Sequence, residues 1–410
     1  MITFRSYQED IIEKGIDVLN KHKFVYLSME VRTGKTLTAL GICKKLGADS
    51  VLFVTKKKAM LSIESDYYQL NPDFDFKVIN YESLHKVCVG GWDVIICDEA
   101  HGLGAFPKPS LRAKQIKTLV QKNNPYVILL SGTPTPESYS QMYHQVYGIP
   151  SNPFASYKTF YKFAHQYVNI KMKKINSRIY NDYTSGKQTI LDAMQPYMIS
   201  HTQKASGFQV QTNEEVLEVM MNDITYDITK RLKKTRVIQG EKEVILGDTP
   251  VKLMSKLHQL FSGTVKFESG NSQVTDHKKA EFIYNKFKGT KIGIFYKFKA
   301  ELKALKEIYK DQLTTELKEF QETNKSIALQ ILSGREGISL KEATALVYYN
   351  IDFSATSYWQ SRDRMTTKDR LYNKIYWVFS RGGIEKDIYK TVIKKKDYTL
   401  NHFKRNILSL

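Results

Sequence analysis

The chain has 410 residues, which is too long for one ordinary hydrophobic core and predicts two or three structural units. Its 42% hydrophobic and 25% charged residues are typical of a globular protein in water, and no apolar run approaches the length of a transmembrane helix. The net charge of +20 favours a polyanionic partner, with nucleic acid as the first choice and a general lysine bias as the alternative.

The N-terminal segment contains acidic residues and lacks the apolar stretch of a signal peptide, so we expect a cytoplasmic protein. Cys43, Cys88 and Cys97 lack the spacing of metal ligands. We expect them to be reduced, mostly buried thiols.

Five short apolar runs follow one another in the first part of the chain, at 24–29, 51–55, 76–81, 93–97 and 126–130. They are nearly continuous in Val, Ile, Leu and Phe, as strands covered on both faces are. The intervening segments fit crossover connections. Residues 1–150 are therefore predicted to form a doubly wound α/β domain with a parallel sheet.

The pattern changes at residues 151–285, where aromatic-rich, helix-like segments alternate with polar turns. We interpret this region as a mostly helical insert or bridge. Apolar runs then return, and residues 286–410 are predicted to form a second α/β domain with a basic, helix-compatible tail. The expected fold class is α/β, with two doubly wound lobes and the insert between them.

A candidate phosphate-binding loop ends in Gly34-Lys35-Thr36, which follows the run at 24–29 and precedes a probable helix. Backbone N–H groups at such a helix N-terminus can face phosphate oxygens. In this kind of loop Lys35 reaches the β- and γ-phosphates, and the Thr36 hydroxyl helps to hold Mg²⁺. The first glycine of the full loop pattern is missing, because Met29 stands at that position.

An acidic pair follows another apolar run, since Asp98 and Glu99 come directly after 93–97. Ligands of parallel sheets bind beyond the carboxyl ends of the strands. Asp98 is therefore a candidate metal ligand, and Glu99 is a candidate for orienting and activating an attacking water. A solvated acidic turn is the alternative, which the preceding strand and the upstream loop disfavour.

Together these strings resemble helicase superfamily 2, with DEAH (98–101) as its second motif and SGTP (131–134) as its third. Within that superfamily the chain is most similar to the Swi/Snf-type ATPases and to their compact versions in phage genomes. FRSYQ (4–8) resembles the glutamine motif, so the resemblance makes Gln8 the adenine contact. The resemblance implies two RecA-like lobes.

The second half also resembles the family, in IGIFYKFKAEL (292–302), SGREGISL (333–340) and YYNIDFSATSYWQSRDRM (348–365). These strings match the fourth, fifth and sixth motifs in the order that the family has them. The similarity thus extends from residue 4 to about residue 370 and covers both lobes.

The sixth motif departs from the family pattern. Gln360 and Arg364 fit it, but Thr367 stands where relatives carry the arginine that contacts the γ-phosphate. Arg364 is therefore our first choice for the transition-state cation, with Arg362 and Arg370 as substitutes. Such an arginine changes the rate of hydrolysis by orders of magnitude. Of the properties that the resemblance implies, efficient ATP hydrolysis therefore depends most on this position.

The resemblance implies further roles. Nucleotide contacts are expected from Gln8, Thr33, Gly34, Lys35, Thr36, Gly337 and Gln360, with Mg²⁺ on Thr36 and Asp98. Nucleic-acid backbone contacts are expected from Lys56, Lys57, Lys58, Tyr81, Ser83, Arg335 and Ser339. His101, Ser131 and Thr133 are expected to couple the phosphate state to lobe movement. The lysine runs at 171–174 and 394–396 either add to the groove or, more commonly for such runs, are solvated faces.

The resemblance therefore predicts an ATPase that uses ATP and Mg²⁺ at the cleft between two lobes and moves along nucleic acid. Duplex, forked or branched DNA is the expected partner, in phage-type replication or recombination together with proteins of those processes. An RNA helicase and a DNA-binding module with a degenerate ATPase remain alternatives. A restriction-complex motor is disfavoured, since no nuclease-like motif is visible.

Overall fold

The computed structural model describes residues 3–87, 90–175, 178–334, 338–367 and 370–394. The chain divides into two compact units, one ending at Phe208 and the other beginning at Gln209, which we call the first and second lobes. In the described ranges no helix is both long enough and apolar enough to cross a membrane.

The first lobe contains a parallel sheet in the order β3-β2-β4-β5-β1-β8 and a separate antiparallel pair, β6-β7. Its strands are β1 Phe24–Met29, β2 Ser50–Thr55, β3 Asp75–Asn80, β4 Val94–Cys97, β5 Tyr126–Leu130, β6 Lys171–Ile175, β7 Arg178–Asp182 and β8 Met198–His201. Its α-helices are α1 Ser6–His22, α2 Lys35–Leu46, α3 Met60–Leu70, α4 Leu111–Asn123, α5 Met142–Val146, α6 Phe160–Tyr167 and α7 Thr189–Met194. Short 3₁₀ helices cover Lys57–Ala59, Tyr81–Lys86, Ala100–Leu103, Tyr139–Gln141 and Gln195–Tyr197.

Helices cover both faces of this sheet. Alternate strand residues point to opposite faces, so both sets of residues are buried. On one face Val25, Leu27 and Phe53 pack with α1, α2 and α3. On the other face Tyr26 and Val54 pack with α4, α5, α6 and α7. The near-continuous apolar runs in the sequence follow from this double burial.

The second lobe repeats the design with the parallel order β15-β16-β14-β17-β18-β9. Its strands are β9 Gln211–Val219, β10 Val237–Gln239, β11 Val244–Leu246, β12 Thr264–Lys266, β13 Ser272–Val274, β14 Ile292–Tyr296, β15 Leu313–Thr314, β16 Ser326–Gln330, β17 Ala345–Tyr348 and β18 Tyr372–Ser380. Its helices are α8 Asp223–Thr235, α9 Pro250–Phe261, α10 Lys278–Lys286, α11 Lys299–Tyr309, α12 Leu317–Glu322, α13 Ile331–Gly334, α14 Ala355–Arg362 and α15 Glu385–Val392, with 3₁₀ turns at Lys310–Gln312 and Asp363–Met365.

The prediction of two doubly wound α/β lobes is confirmed. The division of the chain differs from the expected boundaries, because residues 151–285 contribute β8 to the first sheet and β9 to the second. The contacts separate the chain at Phe208, so this region does not stand apart as a helical insert. β8 and β9 are edge strands with polar, partly exposed residues. The sequence therefore contains no continuous apolar run that predicts them.

Candidate functional site

Three loops meet at one edge of the first sheet. β1, β4 and β5 are parallel, so the loops that follow Met29, Cys97 and Leu130 leave from the same side. They carry the phosphate-loop residues, the acidic pair and the Ser131-Gly132-Thr133 segment. The sheet therefore brings together the residues that the sequence had identified in separate strings.

The phosphate loop turns sharply into α2 through two residues with left-handed backbone geometry. Gly34 has φ 79°, and a Cβ there would lie 2.5 Å from Nε2 of Gln8. Arg32 has φ 65°, a conformation that costs a non-glycine residue about 1–2 kcal/mol. The left-handed backbone at Arg32 is a conformation that glycine would adopt without this cost.

The glutamine motif holds this loop in place. The Gln8 side chain is buried, and its Nε2 donates to Gly34 O and Thr38 Oγ1, at 3.3 Å each. Its Oε1 accepts from Arg5 N at 3.0 Å, and Tyr7 donates its hydroxyl proton to Thr33 O at 3.1 Å. Both ends of the Gln8 amide thus have protein partners, so an adenine contact by Gln8 would replace one of these bonds.

Lys35 and Thr36 occupy the first turn of α2, where helix N–H groups face outward. The Lys35 ammonium donates to Glu30 O at 3.2 Å. Lys35 also lies close enough to the acidic pair to lower the pKa of Asp98. The ammonium is thus positioned between the loop and the carboxylates.

Asp98 is a half-buried carboxyl group that accepts a side-chain hydrogen bond. Thr55, at the end of β2, donates to Asp98 Oδ2 at 2.8 Å. Burial and the neighbouring Glu99 carboxylate raise the pKa of Asp98 to about 6, and the Thr55 bond and Lys35 offset part of this rise. A half-buried carboxylate that lacks sufficient cationic compensation is chemically suited to accept a metal ion.

Glu99 begins the 3₁₀ helix Ala100–Leu103 with φ 49°, a second left-handed non-glycine residue at this edge. His101 Nδ1 lies 3.2 Å from Glu99 Oε2 and 3.0 Å from Ser131 Oγ. Ser131 Oγ in turn accepts from Thr133 N at 3.1 Å. A continuous polar chain thus runs from the acidic pair to the third motif, through the residues expected to couple the two.

The space between the loops is suited to a phosphate group. A Cβ at Gly132 would lie 3.7 Å from Lys35 Nζ and 3.5 Å from Val31 N, so glycine keeps this volume open beside the ammonium and a backbone amide. Within the described part of the chain, the buried Thr133 hydroxyl has no hydrogen-bond partner. A hydroxyl without a partner next to this glycine is suited to donate to a phosphate oxygen.

The same edge fits Mg²⁺. Hard divalent cations prefer oxygen ligands and usually combine one or two protein ligands with phosphate oxygens and waters. Thr36 and Asp98 supply one hydroxyl and one carboxylate. No cluster of three or more His, Cys, Asp or Glu suited to a metal occurs in the described ranges. The ion would therefore depend on the phosphates for its remaining ligands.

The sequence reasoning missed three contributors to this site. Thr55 was not selected, although its position at the end of a neighbouring parallel strand was a usable signal. Tyr26 and Gln145 are buried, and the Tyr26 hydroxyl donates to Gln145 Oε1 at 2.7 Å. Gln145 Nε2 then donates to Pro134 O at 2.8 Å, which ties β1 to the end of the third motif. No pattern in the sequence marks this pair.

The expected nucleic-acid contacts in the first lobe differ in their exposure. Lys57 and Lys58 are exposed after β2, while Lys56 and Ser83 are half-buried. Tyr81 is only 3% exposed, and its hydroxyl donates to Asp98 O at 2.6 Å. The prediction that Tyr81 contacts nucleic acid therefore needs correction. Its side chain is buried and hydrogen-bonded to the backbone of Asp98, so it is not available to a nucleic acid.

In the second lobe, Gln360 and Arg364 lie at the end of α14 and in the 3₁₀ turn after it, and both are buried. Arg364 Nε donates to Gln360 O at 2.9 Å. Within the described part of the chain, Gln360 Oε1 is buried without a hydrogen-bond partner. Ser339 is half-buried. Arg335 and Gly337 lie outside the described residues.

The two substitute arginines are held by structural contacts. Arg362 pairs with Glu214 at 3.0 Å. Arg370 donates through its guanidinium to the carbonyls of Lys341, Ala343, Thr344 and Tyr372. A role as a transition-state cation would require each to give up these partners, and the same holds for Arg364, which donates to the carbonyls of Gln360 and Ile338.

Comparison with known proteins identifies the family. Residues 33–269, more than half of the chain, match the SNF2-related domain. The chain is similar to the Sulfolobus solfataricus SWI2/SNF2 ATPase core in complex with dsDNA, at 16% identity and a TM-score of 0.43, covering 100% of this chain and 93% of that one. It is also similar to the Sulfolobus solfataricus SWI2/SNF2 ATPase core domain, at 16% identity and a TM-score of 0.44, covering 96% and 89%. A sequence search of curated proteins gives no match.

Proposed function

Because the chain belongs to the SNF2-related domain family of superfamily 2, we propose that it is an ATP-dependent motor that acts on DNA. The observation that carries the proposal is the convergence of Lys35, Asp98 and Ser131 at one sheet edge, around a cradle that Gly132 keeps open. The reaction is hydrolysis of ATP to ADP and phosphate.

Each residue of the edge has a distinct task in this proposal. The Lys35 ammonium leaves Glu30 O and binds the β- and γ-phosphates, while the N–H groups at the start of α2 bind their oxygens. Thr36 and Asp98 would hold Mg²⁺, which would supply positive charge against the phosphates. Glu99 orients the attacking water and accepts its proton.

Two sets of polar contacts reach the Ser131–Pro134 segment within the first lobe. In one, His101 Nδ1 contacts both Glu99 Oε2 and Ser131 Oγ. The other runs from Tyr26 through Gln145 to Pro134. The Ser131–Pro134 segment is therefore held by contacts at both of its ends, and it is our candidate for the element that responds to hydrolysis. Movement requires DNA to bind the two nucleotide states with different affinity.

The finer assignments are also proposals. Arg364 of the second lobe is our candidate for the transition-state cation, and Thr367 leaves a weakened ATPase as the second candidate function. We further propose duplex, forked or branched DNA over RNA, a role in phage-type replication or recombination, and the DEAH-type ATP and Mg²⁺ chemistry that Asp98 and His101 imply.

ATP hydrolysis by the purified protein tests the proposal, first alone and then with single-stranded, duplex and forked DNA and with RNA. We expect stimulation by DNA. Lys35→Ala and Glu99→Gln should each lower turnover by at least about 100-fold, whereas Lys45→Ala, on an exposed face of the same helix, should retain activity. No stimulation by any nucleic acid would refute the motor function.

The variant Arg364→Ala tests the assignment of the transition-state cation, and hydrolysis by the wild type separates the two candidate functions. If Arg364 is the transition-state cation, the variant binds ATP normally and loses turnover by about 1,000-fold or more. Wild-type turnover in this variant would move the cation elsewhere. A wild-type protein that binds DNA and ATP without measurable hydrolysis would favour the degenerate ATPase.

A further inference from the structure

A two-stranded ribbon extends from the first lobe and has no part in the nucleotide site. It consists of β6 and β7, paired from Lys171↔Asp182 to Ile175↔Arg178. Directly paired residues of an antiparallel ribbon share a face, and neighbours along a strand alternate. Lys171, Lys173, Tyr180 and Asp182 therefore stand on one face, and Met172, Lys174 and Ile179 stand on the other.

Three large side chains of this ribbon are exposed to solvent. Met172 is 78% exposed, Ile179 67% and Tyr180 47%. An isolated two-stranded ribbon is marginally stable in water, and Met172 and Ile179 together form a small exposed apolar patch on one of its faces.

The charge of the segment identifies the occupant. Residues 157–187 contain seven Lys and Arg and a single acidic residue, Asp182, so the net positive charge per residue is about four times that of the chain as a whole. Lys173 pairs with Asp182 at 2.5 Å, yet its side chain remains 50% exposed. Such a surface is complementary to a polyanion.

The base of the ribbon is firmly anchored, so the ribbon is a fixed arm. Asn169 N donates to Ser185 O at 2.9 Å, and Lys187 N donates to Tyr167 O at 2.8 Å. Ser140 Oγ donates to Tyr183 O at 2.6 Å. Ser140 belongs to the 3₁₀ helix Tyr139–Gln141, a few residues beyond Pro134, so the arm is attached to the segment that follows the third motif.

We propose that the β6–β7 ribbon is a DNA-contacting arm that enters the major groove of the duplex. That groove admits a two-stranded β-ribbon. The face with Met172 and Ile179 contacts the bases, and the long side chains of Lys171 and Lys173 reach the flanking phosphates. This assignment rests on the proposed function and adds a specific duplex contact to it.

The salt dependence of duplex DNA binding tests the charged face. Each phosphate contact contributes about 0.9 to the slope of log affinity against log salt, so Lys171→Gln/Lys173→Gln should lower the slope by about 2. Between about 50 and 200 mM salt, the wild type should then lose about tenfold more affinity than the double variant. The matched control is Lys303→Gln/Lys318→Gln, two exposed lysines that also pair with a carboxylate. It should keep the wild-type slope.

A photo-crosslinking amino acid tests the apolar face without removing charge. At position 172 it should attach to labelled duplex DNA, whereas at position 224, where Ile224 is 60% exposed in the second lobe, it should not. Circular dichroism confirms that each variant is folded. The deep, narrow major groove of A-form RNA excludes the ribbon, so duplex RNA should give no crosslink.

Several results would overturn the arm. Lysines on a ribbon edge can instead serve to prevent edge-to-edge association. If that is their role, the double variant keeps the wild-type salt slope. A crosslink to a second copy of the chain, with none to DNA, would make the face a protein interface. If DNA stimulates the wild type and either of these two results is found, the arm is refuted and the motor function is not. A wild type that neither binds DNA nor is stimulated by it refutes both the arm and the motor.

Discussion

The half-buried carboxyl group of Asp98 should destabilise the protein that contains no metal or nucleotide. Burial and the Glu99 carboxylate raise the pKa of Asp98 from 3.8 to about 6. A rise of about two units corresponds to about 3 kcal/mol of unfavourable free energy for the ionised form in the folded state. Asp98→Asn keeps the shape of the side chain and an oxygen for the Thr55 hydroxyl, and it removes the charge.

The sign of the effect depends on pH in a defined way. Because the folded-state pKa lies above the unfolded value, the favourable contribution of Asp98 is fully present below pH 3.8 and is lost as the pH rises through about 6. The variant should therefore exceed the wild type in unfolding free energy by about 3 kcal/mol at pH 8 and by about half of that at pH 5.

Thermal unfolding with a metal chelator and no nucleotide measures this difference. For a lobe of this size, about 3 kcal/mol corresponds to roughly 6–12 °C in the transition of the first lobe at pH 8. Asp17→Asn, on the exposed side of α1, should shift the transition little at either pH. A variant that is less stable than the wild type at pH 8, or whose advantage is independent of pH, would refute the reasoning. The same variant should lose ATP hydrolysis.

Three further outcomes are expected. Initial ATPase rates should rise with pH through about 6, since only ionised Asp98 holds the metal, and a rate independent of pH between 5 and 7 would contradict this. Gly34→Ala should weaken ATP binding and cost more unfolding free energy than Gly47→Ala, by about 1 kcal/mol or more in a thermal melt. Both glycines have positive φ, but only at Gly34 would the new Cβ meet a side chain, at 2.5 Å, so equal costs would refute the contact. Lys279→Met should destabilise the second lobe by about 3–5 kcal/mol in urea, because it leaves Glu385 charged and fully buried, whereas the exposed Lys386→Met should leave the urea midpoint unchanged.

Much of the fold was predictable because burial on both faces of a parallel sheet leaves a direct trace in the sequence. The central strands β1, β4 and β5 coincide with apolar runs to within a residue. Edge strands have only one neighbour and tolerate polar residues, so β8 and β9 left no such trace. Residues 151–285 were accordingly interpreted as an insert, although they complete both sheets.

The candidate site shows the same division between local and long-range information. Lys35, Asp98 and Glu99 could be selected because each stands at the end of an apolar run. Thr55 also stands at the end of an apolar run and could have been selected in the same way, whereas the role of Tyr26 depends on a partner 119 positions away along the chain.

The sequence by itself determined which residues lie at strand ends, because strand period and apolar runs are local properties of the chain. Only the tertiary structure decided what each side chain does there. It buried Tyr81 beneath Asp98, engaged both ends of the Gln8 amide and bound Arg370 to backbone carbonyls. Exposure and hydrogen-bond partners depend on which elements pack together, and packing joins residues that no local pattern relates.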